Sequence, residues 1–405
     1  MKLRTQTFAL LALTFTPASA ARLDAQVPQY RLTQPDAVLE QAFGLVLRIR
    51  EMPDGRVLIA DPLGQALVLA DLAAGTADTI GRVGQGPAEY RQPDAVYPFP
   101  GDSTLLVDLG NARLTVLGPD GSFGPTMPIA QGEPSGPGLG GMMIVMPQDV
   151  DGRGRIYFQP PGFGPGAALP DSGVVMRMDR STGTFDTVAT VKLQQLKRST
   201  SGGGGNQSVR ISAVPYSPRD GWAVAPDGRV AVVRSNGYYV EWIHPDGRVV
   251  KGPQVPFRPA PIRRAEKREW VARQNNGIAM GISITNGVRQ TSFRRGGSGL
   301  GRGSELDGYD WPDTKPAFNP TSPRVDLDGN LWVERYGPAN SARNYDLFDA
   351  NGVLQARVTL PAGRQLVGFG REGAAAGAGA GAGTVYLVFT DEFDLQYLER
   401  YRLEK

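Results

Sequence analysis

Cysteine is absent from this 405-residue chain, and histidine occurs once, at His244. The first absence excludes disulfides, thiol nucleophiles and thiolate metal sites. The second excludes any two-histidine zinc motif and would force a Ser-His-Asp triad to use His244. A charge excess is missing too. Lys and Arg number 43 against 40 Asp and Glu, a net charge of +3. The pI near 9.0 is therefore no sign of a nucleic-acid partner, since basic and acidic residues nearly balance. No apolar run is long enough to span a bilayer.

The longest such run stands at the start, in MKLRTQTFALLALTFTPASA. Lys2 and Arg4 precede apolar residues from Phe8 to Phe15, and Ala18-Ser19-Ala20 follows. This order is that of a secretory signal peptide. The expectation is cleavage after Ala20 and export of 21–405 to the periplasm or beyond. No cysteine follows that site, which excludes a lipid-anchored lipoprotein. Losing Lys2 and Arg4 would take the charge from +3 to +1.

What is abundant is a repeat. Short apolar segments follow Asp-Gly or Gly-Asp turns in DGRVLIAD from Asp54, GDSTLLVD from Gly101, DGRGRIYFQ from Asp151, DGRVAVVR from Asp227 and DGNLWVER from Asp328. A second segment, usually alternating, follows each and ends in another turn. Alternation at period two marks half-buried strands, and Asp-Gly or Asn-Gly between them marks tight hairpins. The unit is thus an antiparallel meander of four strands, a to d. In the second unit these fall near 94–99, 103–108, 112–117 and 122–129. Five units read near 44–81, 94–129, 142–192, 219–255 and 322–360, and a sixth begins near Gln365. One such sheet cannot bury itself, and radial stacking solves that problem. The fold class is all-β, a six-bladed β-propeller in one domain over 21–405, with an insertion at 256–321.

The sixth unit runs out of chain at its third strand. The segment VPQYRLTQ, 27–34, is expected to supply the fourth and close the ring, which removes a free edge.

The pattern GRVGQGPAEY…P…DSTLLVDLGNARLTVLGPDGSF resembles the bacterial six-bladed propeller family related to NHL-repeat proteins. The matching residues are Gly81, Arg82, Gly84, Gly86, Pro87, Glu89, Tyr90, Asp108, Asn111 and Arg113. WPDTKPAF…VDLDGNLWV is similar to a later part of such proteins. The resemblance spans most of 21–405. It implies the fold and export, and little chemistry. The glycines of GRVGQGPAEY are not a phosphate loop: Pro87 follows them, no Lys-Ser/Thr is present, and strands come next. The stretch is the connector between the first two blades.

With this strand order, the d-to-a connectors and b–c turns share one face, and the a–b and c–d turns share the other. The long segments 81–93, 130–141, 193–218 and 256–321 are all connectors. Loops held by a rigid scaffold carry function, so the connector face is the expected site. Within the insertion, PIRRAEKREWVARQ predicts a helix over 261–274, with proline at its start and Glu269 four residues before Arg273. Ile262, Trp270 and Val271 would pack it down. Its basic side is either a solvated face or a lid over an anionic or sugar-like ligand. VRQTSFRRGGSGLGRGSE follows, then Tyr309 and Trp311, which either stack on a ligand or anchor the insertion. The glycine tracts at 199–208 and 374–383 read as flexible connections.

Candidate ligand-binding residues on this face are Arg82, Glu89, Tyr90, Arg234, Arg264, Trp311 and Arg335. Polar residues end strand b in most blades and are expected near the channel mouth. Among them Asp61, Asp108 and Asp391 are candidate ligands for a Ca²⁺-type ion, a hard cation that takes oxygen donors. Six-bladed lactonases are similar in using such a site, but none of their motifs maps here. Asp108 with Asn111 is equally a turn-shaping pair, and Glu89 equally a brace for its connector. His244 falls in a c–d hairpin on the far face, away from any catalytic group. No catalytic constellation is legible. The reading is an exported, non-enzymatic binding propeller for a ligand, protein, peptide or glycan, with no nucleic acid and no membrane span. The alternative is a Ca²⁺-dependent hydrolase or lyase at the channel mouth.

Overall fold

The computed structural model describes residues 27–403 except 133–141, 161–168, 202–207, 275–277, 286–287, 296–305 and 372–382. The proposed signal peptide and most of both glycine tracts lie outside the described residues. No helix among the described residues is long and apolar enough to cross a membrane.

Six blades, each built on four antiparallel strands, follow one another along the chain, and one of them carries a fifth strand. Blade 1 is Ile49–Glu51, Val57–Asp61, Ala66–Asp71 and Thr76–Thr79. Blade 2 is Pro93–Pro98, Thr104–Asp108, Arg113–Leu117 and Phe123–Pro128, within about a residue of the expected spans. Blades 3, 4 and 5 begin at Asp149, Gly221 and Arg324. Blade 6 contains Arg364–Gly370, Gly383–Thr390 and Gln396–Leu403. The Asp-Gly turns do as their sequence requires. At Pro53-Asp54-Gly55 the Gly55 N–H returns to the Met52 carbonyl, and Gly55 takes φ 86°. That is a type I turn closed by a left-handed residue, for which glycine has no steric cost.

Six apolar clusters hold the ring, one at each interface between neighbouring blades. Trp242 and Trp332 are wholly enclosed in two of them, as their place in strands predicts. This is why strand b of blades 1 and 2 is buried along its length: both of its faces meet a neighbouring blade.

Ring closure differs from the expectation in one respect. The strand that completes blade 6 is Ala37–Phe43, antiparallel to Gln396–Leu403, with Ala37 opposite Arg400 and Phe43 opposite Gln396. The segment 27–34 does not fill that place. Its strand Gln29–Arg31 runs parallel along Leu354–Thr359 as a fifth strand of blade 5. The physical reason lies in the buried side chains. Leu39 and Phe43 enter the cluster between blades 6 and 1, whereas Leu32 enters the cluster between blades 5 and 6.

The insertion carries a helix, Arg264–Gln274, that starts three residues later than expected. Glu266 fixes that start. Its carboxylate accepts the Arg263 N–H at 3.0 Å and the Ala339 N–H at 2.9 Å, capping the helix and tying it to the b–c turn of blade 5. These amides hold the Glu266 carboxyl below the usual range. A hairpin follows, Ile278–Thr285 with Val288–Arg295, which the sequence reading did not anticipate. Its far end reaches blade 2. Phe293 packs into the cluster between blades 2 and 3, and the Arg295 N–H donates to Gln92 Oε1 at 2.9 Å while its guanidinium pairs with Asp94. The insertion therefore reaches from blades 4 and 5 to blade 2 across the connector face.

Candidate functional site

The three carboxylates read as metal ligands stand in three separate turns. Asp61 accepts four main-chain N–H groups, from Gly44, Leu45, Leu63 and Gly64, at 2.7 to 3.1 Å. Asp108 accepts the Arg91 and Gln92 N–H groups at 3.1 Å and the Asn111 amide at 2.7 Å, beside Arg113. Asp391 accepts from Phe393 and Leu395 in its own turn. Among the described residues, no group of three or more His, Asp or Glu side chains could hold a metal ion. In blades 1 and 2 the carboxylate at the end of strand b bends back to stitch its b–c turn to the preceding connector. A full set of main-chain donors is what an anion in that position needs.

All of the connector-face candidates but Arg264 are engaged as well. Tyr90 requires a correction. It is buried between blades 1 and 2, 1 % exposed, and its hydroxyl oxygen accepts the Leu67 N–H at 3.1 Å, so it presents no ring to a ligand. Glu89 accepts the Gly86 N–H at 2.6 Å and Arg82 at 2.7 Å, and these partners hold its carboxyl below the ordinary range. Arg234 bridges Asp220 and Glu241. Arg335 lies 3.8 Å from the enclosed Asp346. Trp311 packs edge-on against Trp270 and Tyr309, and its indole N–H donates to the Leu306 carbonyl at 2.6 Å. Arg264 is exposed on the helix. His244 sits in its hairpin, with Nδ1 3.0 Å from the Arg248 guanidinium. None of these residues lines a cavity described here.

A cavity among the described residues lies elsewhere, in the central channel. It measures about 150 Å³ and is bounded by strand a, or its flanks, in five blades. Exposed residues of the a–b turns, Pro53, Asp102 and Leu327, form its rim with Arg371. It therefore opens on the face opposite the connectors. Its floor consists of Arg48, Asp149 and Arg324.

Two contacts in that floor cross the axis. Arg48 of blade 1 pairs with Asp149 of blade 3 at 3.0 Å, and its ring neighbour is Tyr97 at 4.6 Å. Arg324 of blade 5 donates to the Leu47 carbonyl at the entry to blade 1, at 2.9 Å. In each case a whole blade intervenes around the ring. The Asp149 carboxylate also accepts the Val224 N–H of blade 4 at 3.0 Å. The channel is thus barred towards the connector face by a charged lattice.

The charges do not balance. Four guanidinium groups, of Arg48, Arg50, Arg324 and Arg371, line the cavity with three carboxylates, of Glu51, Asp102 and Asp149. Glu51 is committed to the Tyr386 hydroxyl at 2.5 Å and the Arg371 N–H at 2.7 Å. Arg50 donates to main-chain carbonyls of Asp102 and Ser103 and to Thr104. Burial, with Arg371 nearby, pushes it down to about 10. Arg324 forms no salt bridge with any described residue, and the Leu47 carbonyl is the acceptor its guanidinium finds. Burial and then the adjacent Arg48 push it down to about 10. The Asp149 carboxylate, already paired with Arg48, acts on Arg324 only through space and offsets part of this. A desolvated cation without a direct ion pair is costly, and proteins otherwise pair such groups.

No protein-family model matches the chain, and no curated protein matches it. The NHL-like resemblance is accordingly not established, whereas the six-bladed propeller stands on the strand ladders themselves. Solved structures of similar course include a calcium-binding protein, regucalcin, from Agrobacterium tumefaciens, at 12 % identity over 93 % of this chain and 96 % of that one, TM-score 0.39. A gluconolactonase from Xanthomonas campestris gives 14 %, 93 %, 96 % and 0.40. Virginiamycin B lyase from Staphylococcus aureus gives 10 %, 92 %, 99 % and 0.35. At these identities and scores the likeness assigns no activity to this chain.

Proposed function

We propose that this chain is an anion-binding propeller that takes a small anionic ligand into the central channel from the a–b face. The observation that carries this reading is Arg324, a partly buried guanidinium that lines the cavity and has no carboxylate partner among the described residues. Strongly perturbed ionisable groups in a cleft favour a functional site. A bound anion would supply the missing counter-charge. Arg48, held by Asp149, and Arg50, held by main-chain carbonyls, frame the place where it would sit.

The test is thermal melting of the purified chain in low-chloride buffer with a panel of anions: acetate, benzoate, phosphate and citrate. A ligand that binds only the folded state raises the midpoint. At least one anion is expected to raise it in the wild type and to leave Arg324→Met unmoved. The absence of any anion effect, or an equal effect in the variant, would remove the proposal. The alternative, a Ca²⁺-dependent hydrolase or lyase, is tested in the same melts. It requires a rise with Ca²⁺ that chelator reverses and that Asp108→Ala abolishes while remaining folded.

A further inference from the structure

We infer that the ligand is a small organic monocarboxylate with a compact apolar body, its carboxylate against Arg324 and its body against blades 5 and 6. This rests on the anion-binding reading and narrows it by size, charge and wall chemistry.

Size comes first. A cavity of about 150 Å³ is of the order that encloses benzene. A small ring or a branched chain fills such a space; of an oligosaccharide or a peptide only one end would enter it. Charge comes next. Four guanidinium groups against three carboxylates leave one positive charge in excess. Two of those carboxylates are already committed, Asp149 to Arg48 and the Val224 N–H, Glu51 to Tyr386 and the Arg371 N–H. A monoanion matches that excess. A phosphate dianion or a tricarboxylate would overfill it and face Glu51 and Asp149 without compensation.

The wall decides the rest. Val325, Leu327 and Phe369 line one side of the cavity, next to Arg324 in sequence or on the neighbouring blade. Leu327 stands 48 % exposed at the rim. It belongs to none of the buried clusters of the ring, so its apolar surface is left to water at the entrance. A ligand with an apolar body would cover it, and covering apolar surface is favourable in proportion to the area removed from water. The planar fork of Arg324 matches a carboxylate in two parallel hydrogen bonds. Charge at the floor and apolar surface from floor to rim together describe an amphipathic acid.

Calorimetric titration of the whole chain with benzoate as the probe tests this. The comparators are benzamide, which keeps the shape and loses the charge, acetate, which keeps the carboxylate and loses the body, and phosphate and citrate. Benzoate is expected to bind saturably and at least about tenfold tighter than acetate, a difference of about 1.4 kcal/mol, with benzamide silent. Leu327→Ser, at an exposed position that the fold does not need, is expected to weaken benzoate severalfold and leave acetate unchanged. Arg324→Met is expected to abolish both. Binding of phosphate or citrate in preference to benzoate, binding of benzamide equal to that of benzoate, or an unchanged Leu327→Ser would overturn the monocarboxylate inference and leave the channel site standing. Failure of every anion would overturn both.

Discussion

A chain that begins at Gln34 is expected to fold, and a chain that begins at Gly44 is expected to come out insoluble. The first deletion removes the parallel strand Gln29–Arg31 and the buried Leu32. Its cost is that of one edge strand and one core side chain, about 2–4 kcal/mol, which a ring of six interfaces can absorb. The second deletion also removes Ala37–Phe43. It strips Leu39 and Phe43, each 1 % exposed, from the cluster between blades 6 and 1. It also exposes the edge of Gln396–Leu403, a strand whose main-chain groups would then recruit another chain. Soluble yield and the circular dichroism of the two truncations check this. Equal behaviour of both would place the closure elsewhere.

Asp61→Ala is expected to lower stability by about 3–5 kcal/mol in a denaturant titration. The carboxylate satisfies four main-chain N–H groups, two in the entry to blade 1 and two in its own b–c turn. Removing an acceptor leaves each buried donor unpaired at about 1–3 kcal/mol, reduced here because water can reach part of the turn. Asp61→Asn is expected to recover only part of the loss, since an amide keeps one acceptor oxygen and brings two donors. A loss that depends on added Ca²⁺ in the wild type would instead assign Asp61 to a cation. A loss below about 1 kcal/mol would show that the stitch is not structural.

These two expectations mark where the sequence was legible. Blade spacing, hairpin type and strand identity follow from Asp-Gly turns and period-two alternation, which are local signals, and the structure places strands where those signals fall. Closure was misplaced by one strand because it is not local. VPQYRLTQ and AVLEQAF are both short amphipathic segments, and the register shift between Val38 and Ala42 blurs the alternation of the second. Only the partner cluster, hundreds of residues away, separates them.

The candidate site was hidden for the same reason. Strand b ends were expected near the channel mouth because their polar residues recur. In fact strand a borders the cavity, and Asp61 and Asp108 turn away from it to main-chain donors. Arg48, Asp149 and Arg324 lie in three blades, and each looks in sequence like an ordinary charged residue at the edge of a strand. A signal was present: a charged residue stands at or beside the start of strand a in blades 1, 3 and 5. Recognising it requires the ring geometry that brings those starts together across the axis.

The central claim is that Arg324 is kept unpaired for a ligand, at a cost to the empty protein. The lowering to about 10 means that folding disfavours its charged form, by up to about 3 kcal/mol at 1.36 kcal/mol per unit. That figure is reduced by partial solvent access and by the hydrogen bond to Leu47. The sign follows from linkage. Below about pH 10 the group is protonated in both folded and unfolded chains, so the penalty is present in full. It lifts only as pH rises from about 10 towards the ordinary range of a free guanidinium, where the unfolded chain binds the extra proton. The direct measurement is the denaturation of wild type and Arg324→Met without added anion between pH 6 and 9, repeated with benzoate. The variant is expected to be more stable by ~1–2 kcal/mol across that whole range and blind to benzoate, which stabilises only the wild type. A variant less stable than the wild type, and still stabilised by benzoate, would contradict it.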